Sequence, residues 1–158
     1  MAIPISRQGL LALEAELAEL KKERPQVIQA IKEAREEGDL RENAGYDAAR
    51  ERQGILEARI SYLESRLQDV NVIDLNKLSG DKVMFGATVT IEDEDSGEQK
   101  KFTLLGPDEA DYSRGSISTL SPLGKALLGK AEGDEVIVDA PRGKISYEII
   151  EIAFGAAS

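Results

Sequence analysis

Two seams of apolar residues, equal in length and separated by a short polar segment, constrain this chain more than anything else in it. Leu10, Leu13, Leu17, Leu20, Arg24, Val27, Ile31 and Ala34 recur at alternating intervals of three and four residues. Tyr46, Ala49, Gln53, Leu56, Ile60, Leu63, Leu67 and Val70 do the same. This is the a/d repeat of a coiled coil, with a polar break at Arg24. The pattern predicts an antiparallel helical hairpin. Folding it about Leu40 pairs residues whose numbers sum to 80, such as Ile31 with Ala49, Leu20 with Ile60 and Leu17 with Leu63. Each buried Leu or Ile contributes roughly 1.5–3 kcal/mol, enough for the seam to hold two helices together. Pro25 lies inside the first helix and is expected to bend or interrupt it near Arg24. At 1.5 Å per residue the arm would reach roughly 40 Å.

The pattern changes after Val70. "NVIDLNKLSGD" reads as a connector. Val83, Phe85, Ala87, Val89 and Ile91 then alternate toward one face, "DEDSGE" signals a hairpin turn, and two further strands flank Pro141–Gly143. "SPLGKALLGK" at 121–130 reads as a short helix with Ser121 before Pro122 at the first helical position. The expected fold class is α+β, with a coiled-coil hairpin domain over 1–75 and a small antiparallel-sheet domain over 80–158.

Composition removes several chemistries. The 158 residues include no Cys and no His, which excludes disulfides, thiol catalysis, Ser-His-Asp triads and zinc centres. Metal chemistry is left to carboxylates, which suit Mg²⁺, Ca²⁺ or Mn²⁺. The net charge is -10, so any contact with nucleic acid needs a local basic patch. No segment has the apolar length to span a bilayer, and a cytoplasmic protein without membrane contact is expected.

The heptad register also predicts the flanking charge pairs. Glu16 should meet Arg66, Glu23 should meet Arg59, and Lys21 should meet Glu57, while Glu14 would face Glu64 unfavourably. Arg35, Arg50 and Arg52 lack a partner in this register. They read either as solvated side chains in loose contacts, such as Arg50 with Asp47, or as guanidinium groups left to hold a phosphate backbone. Between the helices, "GDLRENAGYD" fits a helix stop at Gly38 and a capping box from Asp39 to Glu42, with Asn43 as an alternative cap. The same two carboxylates would make a poor metal site alone. They would make a better one if another macromolecule supplied the remaining ligands.

The stretch "RPQVIQAIKEAREEGDLRENAGYDAARERQ", followed by "EARISYLESRL" and "VID", resembles the hairpin of the bacterial Gre transcript-cleavage factors, the GreA branch more than the GreB branch. "FGATVTIEDEDSGEQKKFTLLGPDEAD" and "ISTLSPLGKALLGKAEGDEVIV" resemble the family's C-terminal domain. The resemblance covers nearly the whole chain, and its GDL-x-ENA-x-Y segment is specific. It implies a C-terminal domain similar to the FKBP fold and a bacterial RNA polymerase partner. That domain would dock at the rim of the polymerase secondary channel while the hairpin enters it.

The resemblance further implies that the tip, residues 38–43, works at the 3′ end of nascent RNA extruded by backtracking. Asp39 and Glu42 would be the catalytic, metal-holding acids, sharing Mg²⁺ with the polymerase centre. Arg35 and Arg50 match the family's basic patch, with Arg52 as a further RNA contact. Thr119, Leu120, Ser121 and Pro122 match the polymerase-contacting loop. Two positions depart from the family's pattern. Gly45 stands where an acid is usual, which weakens the start of the second helix by ~1 kcal/mol. Leu120 stands where a polar residue commonly precedes Ser-Pro.

The expected function is therefore stimulation of the polymerase's own transcript cleavage, by a monomer that is not itself an enzyme. A channel-occupying regulator that promotes no cleavage is the alternative that Gly45 leaves open. A prolyl isomerase fits poorly because the chain has no Trp and few aromatics. A coiled-coil dimerisation module fits poorly because the two seams satisfy each other.

Overall fold

The computed structural model describes residues 2–36 and 44–155. Its elements are β1 (Ile3–Ser6), α1 (Arg7–Glu36), α2 (Ala44–Leu67), β2 (Val70–Ile73), β3 (Thr88–Asp93), β4 (Gln99–Leu105), β5 (Ser116–Ser118), α3 (Pro122–Leu127), β6 (Glu135–Ala140) and β7 (Gly143–Ala153). They form two compact units. One is Leu10–Val70, and the other joins Ala2–Gly9 to Asn71–Ser158.

In the first unit α1 and α2 pack as an antiparallel pair along the expected seam. Every seam residue is buried or half-buried, and Val27, Ile31, Ala49, Leu56 and Ile60 form the central cluster. Leu63 is completely buried. Pro25 does not interrupt α1, which runs unbroken from Arg7 to Glu36. Proline forfeits one backbone hydrogen bond, and burial of Val27 and Ile31 just beyond it offsets that loss. The second helix ends at Leu67, so Val70 opens β2 rather than closing the seam.

β1 and β2 pair with each other, and the sequence reading placed a strand at neither. β1 is also fixed to the turn after β4. The Ser6 backbone N–H donates to Glu109 Oε2 at 2.9 Å, and the Ser6 hydroxyl donates to the other oxygen of the same carboxylate. Ser6 Oγ in turn accepts the Gly9 N–H at 3.0 Å, the geometry of a helix N-cap. A Cβ at Gly9 would lie 2.5 Å from Glu109 Oε1, so a side chain there would have to displace the Glu109 carboxylate from Ser6.

The second unit is built on a five-stranded sheet of order β5-β4-β3-β7-β6. It is antiparallel except for the β4–β5 pair, which is parallel. Val89, Ile91, Phe102, Leu104, Ile149 and Leu127 fill its core. The β3–β4 turn forms at "DEDSGE" as expected. Asp93 Oδ1 accepts the Asp95 and Ser96 N–H groups, and Gly97 takes a φ of 75°. The strand does not extend back to Val83. Gly86 turns the chain with a φ of 87°, and a Cβ there would lie 2.5 Å from a Leu78 methyl. Val83 and Ala87 still reach the core, whereas Phe85 is only half-buried.

Candidate functional site

The hairpin carries its charges in an order that the register only partly anticipated. Arg24 sits at a seam position, where a guanidinium cannot be buried unpaired, and it turns aside to Glu57. Arg24 Nε and Nη2 donate to the two carboxylate oxygens at 2.8 Å each. The paired guanidinium holds the Glu57 carboxyl below its usual range, and Glu57 in return raises Arg24. With Glu57 occupied, Lys21 takes Glu64 at 3.2 Å, which also supplies Glu64 with a cation in place of the expected clash with Glu14. On the opposite edge Arg59 binds Glu16 through two hydrogen bonds of 2.7 and 2.9 Å. Arg52 reaches Glu23 at 3.4 Å.

That last pair corrects the sequence reading, in which Arg52 faced Ala30 and had no partner. A residue at one edge of an antiparallel coiled coil can reach either of two facing positions a heptad apart. Glu23 takes Arg52 rather than Arg59, which is held by Glu16. Arg52 then lines a hollow of about 320 Å³ with Glu23, Ala48, Glu51, Ile55 and Leu56.

Arg35 and Arg50 come together in a separate groove of about 430 Å³, lined also by Ile28, Ile31, Lys32, Glu36 and Gln53. Heptad geometry explains the meeting, since both arginines occupy the edge position after a d residue on facing helices. The Arg35 guanidinium lies 5.9 Å from the centre of the Tyr46 ring, a cation–π contact. Tyr46 is itself packed on the central seam cluster. Arg50 has no ion pair among the described residues and is exposed. The groove gathers three cations against one carboxylate in a chain of net charge -10. Sequence reasoning missed Lys32 and Gln53. Lys32 lies one turn before Arg35, and that spacing was its available signal. Gln53 was visible as a polar residue inside an apolar seam.

The expected catalytic and metal-holding acids, Asp39 and Glu42, lie outside the described residues. Among the described residues no three metal-capable side chains lie close enough to hold an ion together.

The loop at 119–122 is held by a compact set of hydrogen bonds. The Ser118 carbonyl accepts the Ser121 N–H at 3.0 Å and its hydroxyl at 2.6 Å. Ser121 Oγ accepts the Gly124 N–H at 3.0 Å and so caps α3, with Pro122 in the first turn as expected. The Thr119 N–H donates to the Leu105 carbonyl at 2.9 Å. Leu120 stands at the turn with 60% of its surface exposed. The loop presents an exposed apolar side chain on a hydrogen-bonded base.

Comparison with known proteins agrees with this organisation. Residues 3–72 match the family described as "Transcription elongation factor, N-terminal", and residues 78–154 match "Transcription elongation factor, GreA/GreB, C-term". Transcription elongation factor GreA of Nitratidesulfovibrio vulgaris (strain Miyazaki F) is 72% identical over 156 residues, which are 99% of this chain and 98% of that protein. Its counterpart in Rhodospirillum rubrum is 54% identical, over 97% of this chain and 98% of that protein. The crystal structure of GreA factor homolog 1 from Thermus thermophilus aligns with 97% of this chain and 99% of its own, at 29% identity and a TM-score of 0.46. The two matched segments leave little of the chain unaccounted for, and it belongs to the GreA/GreB family of transcription elongation factors.

Proposed function

We propose that this elongation factor binds bacterial RNA polymerase through the secondary channel and stimulates cleavage of the 3′ end of backtracked nascent RNA, returning arrested complexes to elongation. The observation that carries the reading is the cationic groove of Lys32 and Arg35 at the end of α1 and Arg50 at the start of α2, on either side in sequence of the acids Asp39 and Glu42. A net negative arm would otherwise repel an RNA end. A guanidinium pair opposite one exposed wall gives the phosphate backbone a local place to bind.

The factor is not the catalyst in this reading. The donor set fits Mg²⁺, because the chain offers carboxylate oxygens and neither Cys nor His. Asp39 and Glu42 would contribute to its coordination, and the polymerase and the RNA phosphate would supply the other ligands. When bound, the ion lowers the pKa of its water and stabilises charge on the reacting phosphate. The chain's own work is positioning. Arg35 and Arg50 hold the extruded strand, Tyr46 orients Arg35, and the loop at Thr119–Pro122 docks the sheet unit on the polymerase. Arg52 is engaged by Glu23 and contributes less to RNA. The factor acts as a monomer, since its apolar seams face each other.

The test follows end-labelled RNA in a backtracked elongation complex with Mg²⁺. Arg35→Gln/Arg50→Gln should slow cleavage at least tenfold, the loss of two charge-assisted contacts, while Arg52→Gln changes it less than threefold. Equal rates for the parent and the double variant would overturn the role of the groove.

A further inference from the structure

Gln53 is the one seam residue of α2 whose polarity the packing does not explain. It lies opposite Val27, which is 1% exposed, in a row otherwise filled by Leu, Ile, Ala, Val and Tyr. Arg24, the polar seam residue of α1, is accounted for by its double hydrogen bond to Glu57. Gln53 has no such partner among the described residues. It is half-buried, and it lines the groove with Lys32, Arg35 and Arg50. Leucine would pack better between two helices, so the amide costs stability where it stands.

The rest of the groove indicates what the amide meets. Ile28, on the facing helix α1, is 52% exposed, an apolar surface in the same groove as the cations. A nucleotide has the matching parts, with a phosphate for Lys32 and Arg50 and a flat base for Ile28. Glutamine carries one donor and one acceptor side by side, the pair that suits the N6/N7 edge of adenine. Unstacked bases of single-stranded RNA expose that edge.

We propose that Gln53 reads the edge of a base in the RNA strand held by this groove and favours adenine. The inference rests on the RNA-cleavage reading above. It adds a base contact to a groove otherwise described by its charge.

The test uses two backtracked complexes on templates that differ only in extruding adenine or uracil, with the parent protein and Gln53→Leu. Leucine suits the seam, and the variant should melt no lower than the parent. At saturating factor the variant should cleave the adenine complex roughly fivefold more slowly, the value of one net hydrogen bond, and the uracil complex at less than a twofold difference. Unchanged rates on both templates, or an equal loss on both, would overturn the proposal. If the parent stimulates no cleavage, the functional reading fails. The inference is then judged by photocrosslinking 8-azidoadenosine at the extruded 3′ end. Attachment to the α2 segment around Gln53 supports it, and attachment elsewhere or none overturns it.

Discussion

Arg24 and Glu57 face each other across the hairpin through two hydrogen bonds of 2.8 Å, and this pair sets the order of its neighbours. It puts a cation into an apolar seam and satisfies it at once. It also takes Glu57 from Lys21, which moves on to Glu64.

The two side chains are partly exposed, so the pair is worth a modest amount and its partners are coupled. Arg24→Leu leaves Glu57 without its guanidinium, and Glu57→Leu leaves Arg24 without its carboxylate. Arg24→Leu/Glu57→Leu should lower the melting temperature by less than the two single losses added together, as a double-mutant cycle would show. The pair also has a pH signature. Glu57 is held below its ordinary value of 4.5, so its contribution is present above that value and is lost as pH falls through the lower folded value. The difference in melting temperature between the parent and Glu57→Gln should accordingly vanish in acid.

A carboxylate on the sheet unit should behave in the opposite sense. Partial desolvation raises Glu94 above its ordinary 4.5, and the neighbouring carboxylates Glu135, Glu148 and Asp95 raise it further. A raised carboxyl pKa means the fold binds this proton better than the unfolded chain does. Its ionisation thus costs stability at neutral pH, and the cost disappears as pH falls below 4.5. Glu94→Gln should raise the melting temperature at pH 7 and have no effect in acid. A lower melting temperature at pH 7 would contradict this.

Leu63 is completely buried in the helical pair, and Ile91 is completely buried in the sheet unit. Leu63→Ala and Ile91→Ala should each destabilise their own unit by ~2–5 kcal/mol, measured by denaturant unfolding. A cost below 1 kcal/mol for either would mean that its core is not packed as described.

Gly9→Ala would set a methyl group against Glu109 and push it off Ser6. The expected loss is roughly 1–3 kcal/mol, the cost of disrupting a hydrogen-bonded cap together with local overpacking. Glu109→Ala should cost a comparable amount, and the double variant should cost less than the sum.

These residues also show how much the sequence could say. The seam was legible because a 3,4 repeat admits one helical face, and each of its members proved buried or half-buried. The turns at Asp93–Gly97 and Pro141–Gly143 were legible because few residues satisfy their backbone angles. The ion pairs were not, because each edge residue can choose between two facing partners and Arg24 claimed one that the register had given to Lys21. β1 and β2 are four residues each, too short for alternation to register against the neighbouring helices. Val83–Ala87 alternates like a strand, but the left-handed turn at Gly86 depends on Leu75 and Leu78, which only the fold brings close. At the site, Arg35 and Arg50 were found from spacing, whereas Lys32 and Gln53 needed the groove. Asp39 and Glu42 rest on sequence and lie outside the described residues.

Those two acids carry the central claim, and one measurement tests it directly. Shortening of end-labelled RNA in a backtracked complex with Mg²⁺ is followed with the parent and with Asp39→Asn/Glu42→Gln. Asn can still cap a helix and Gln can still close a capping box, so the substitution removes charge and leaves the turn chemistry in place. The account predicts that the parent accelerates cleavage and that the variant binds polymerase equally well but accelerates it at least a hundredfold less, as loss of metal ligands requires. Equal acceleration by both proteins would contradict it and reduce Asp39 and Glu42 to a helix cap.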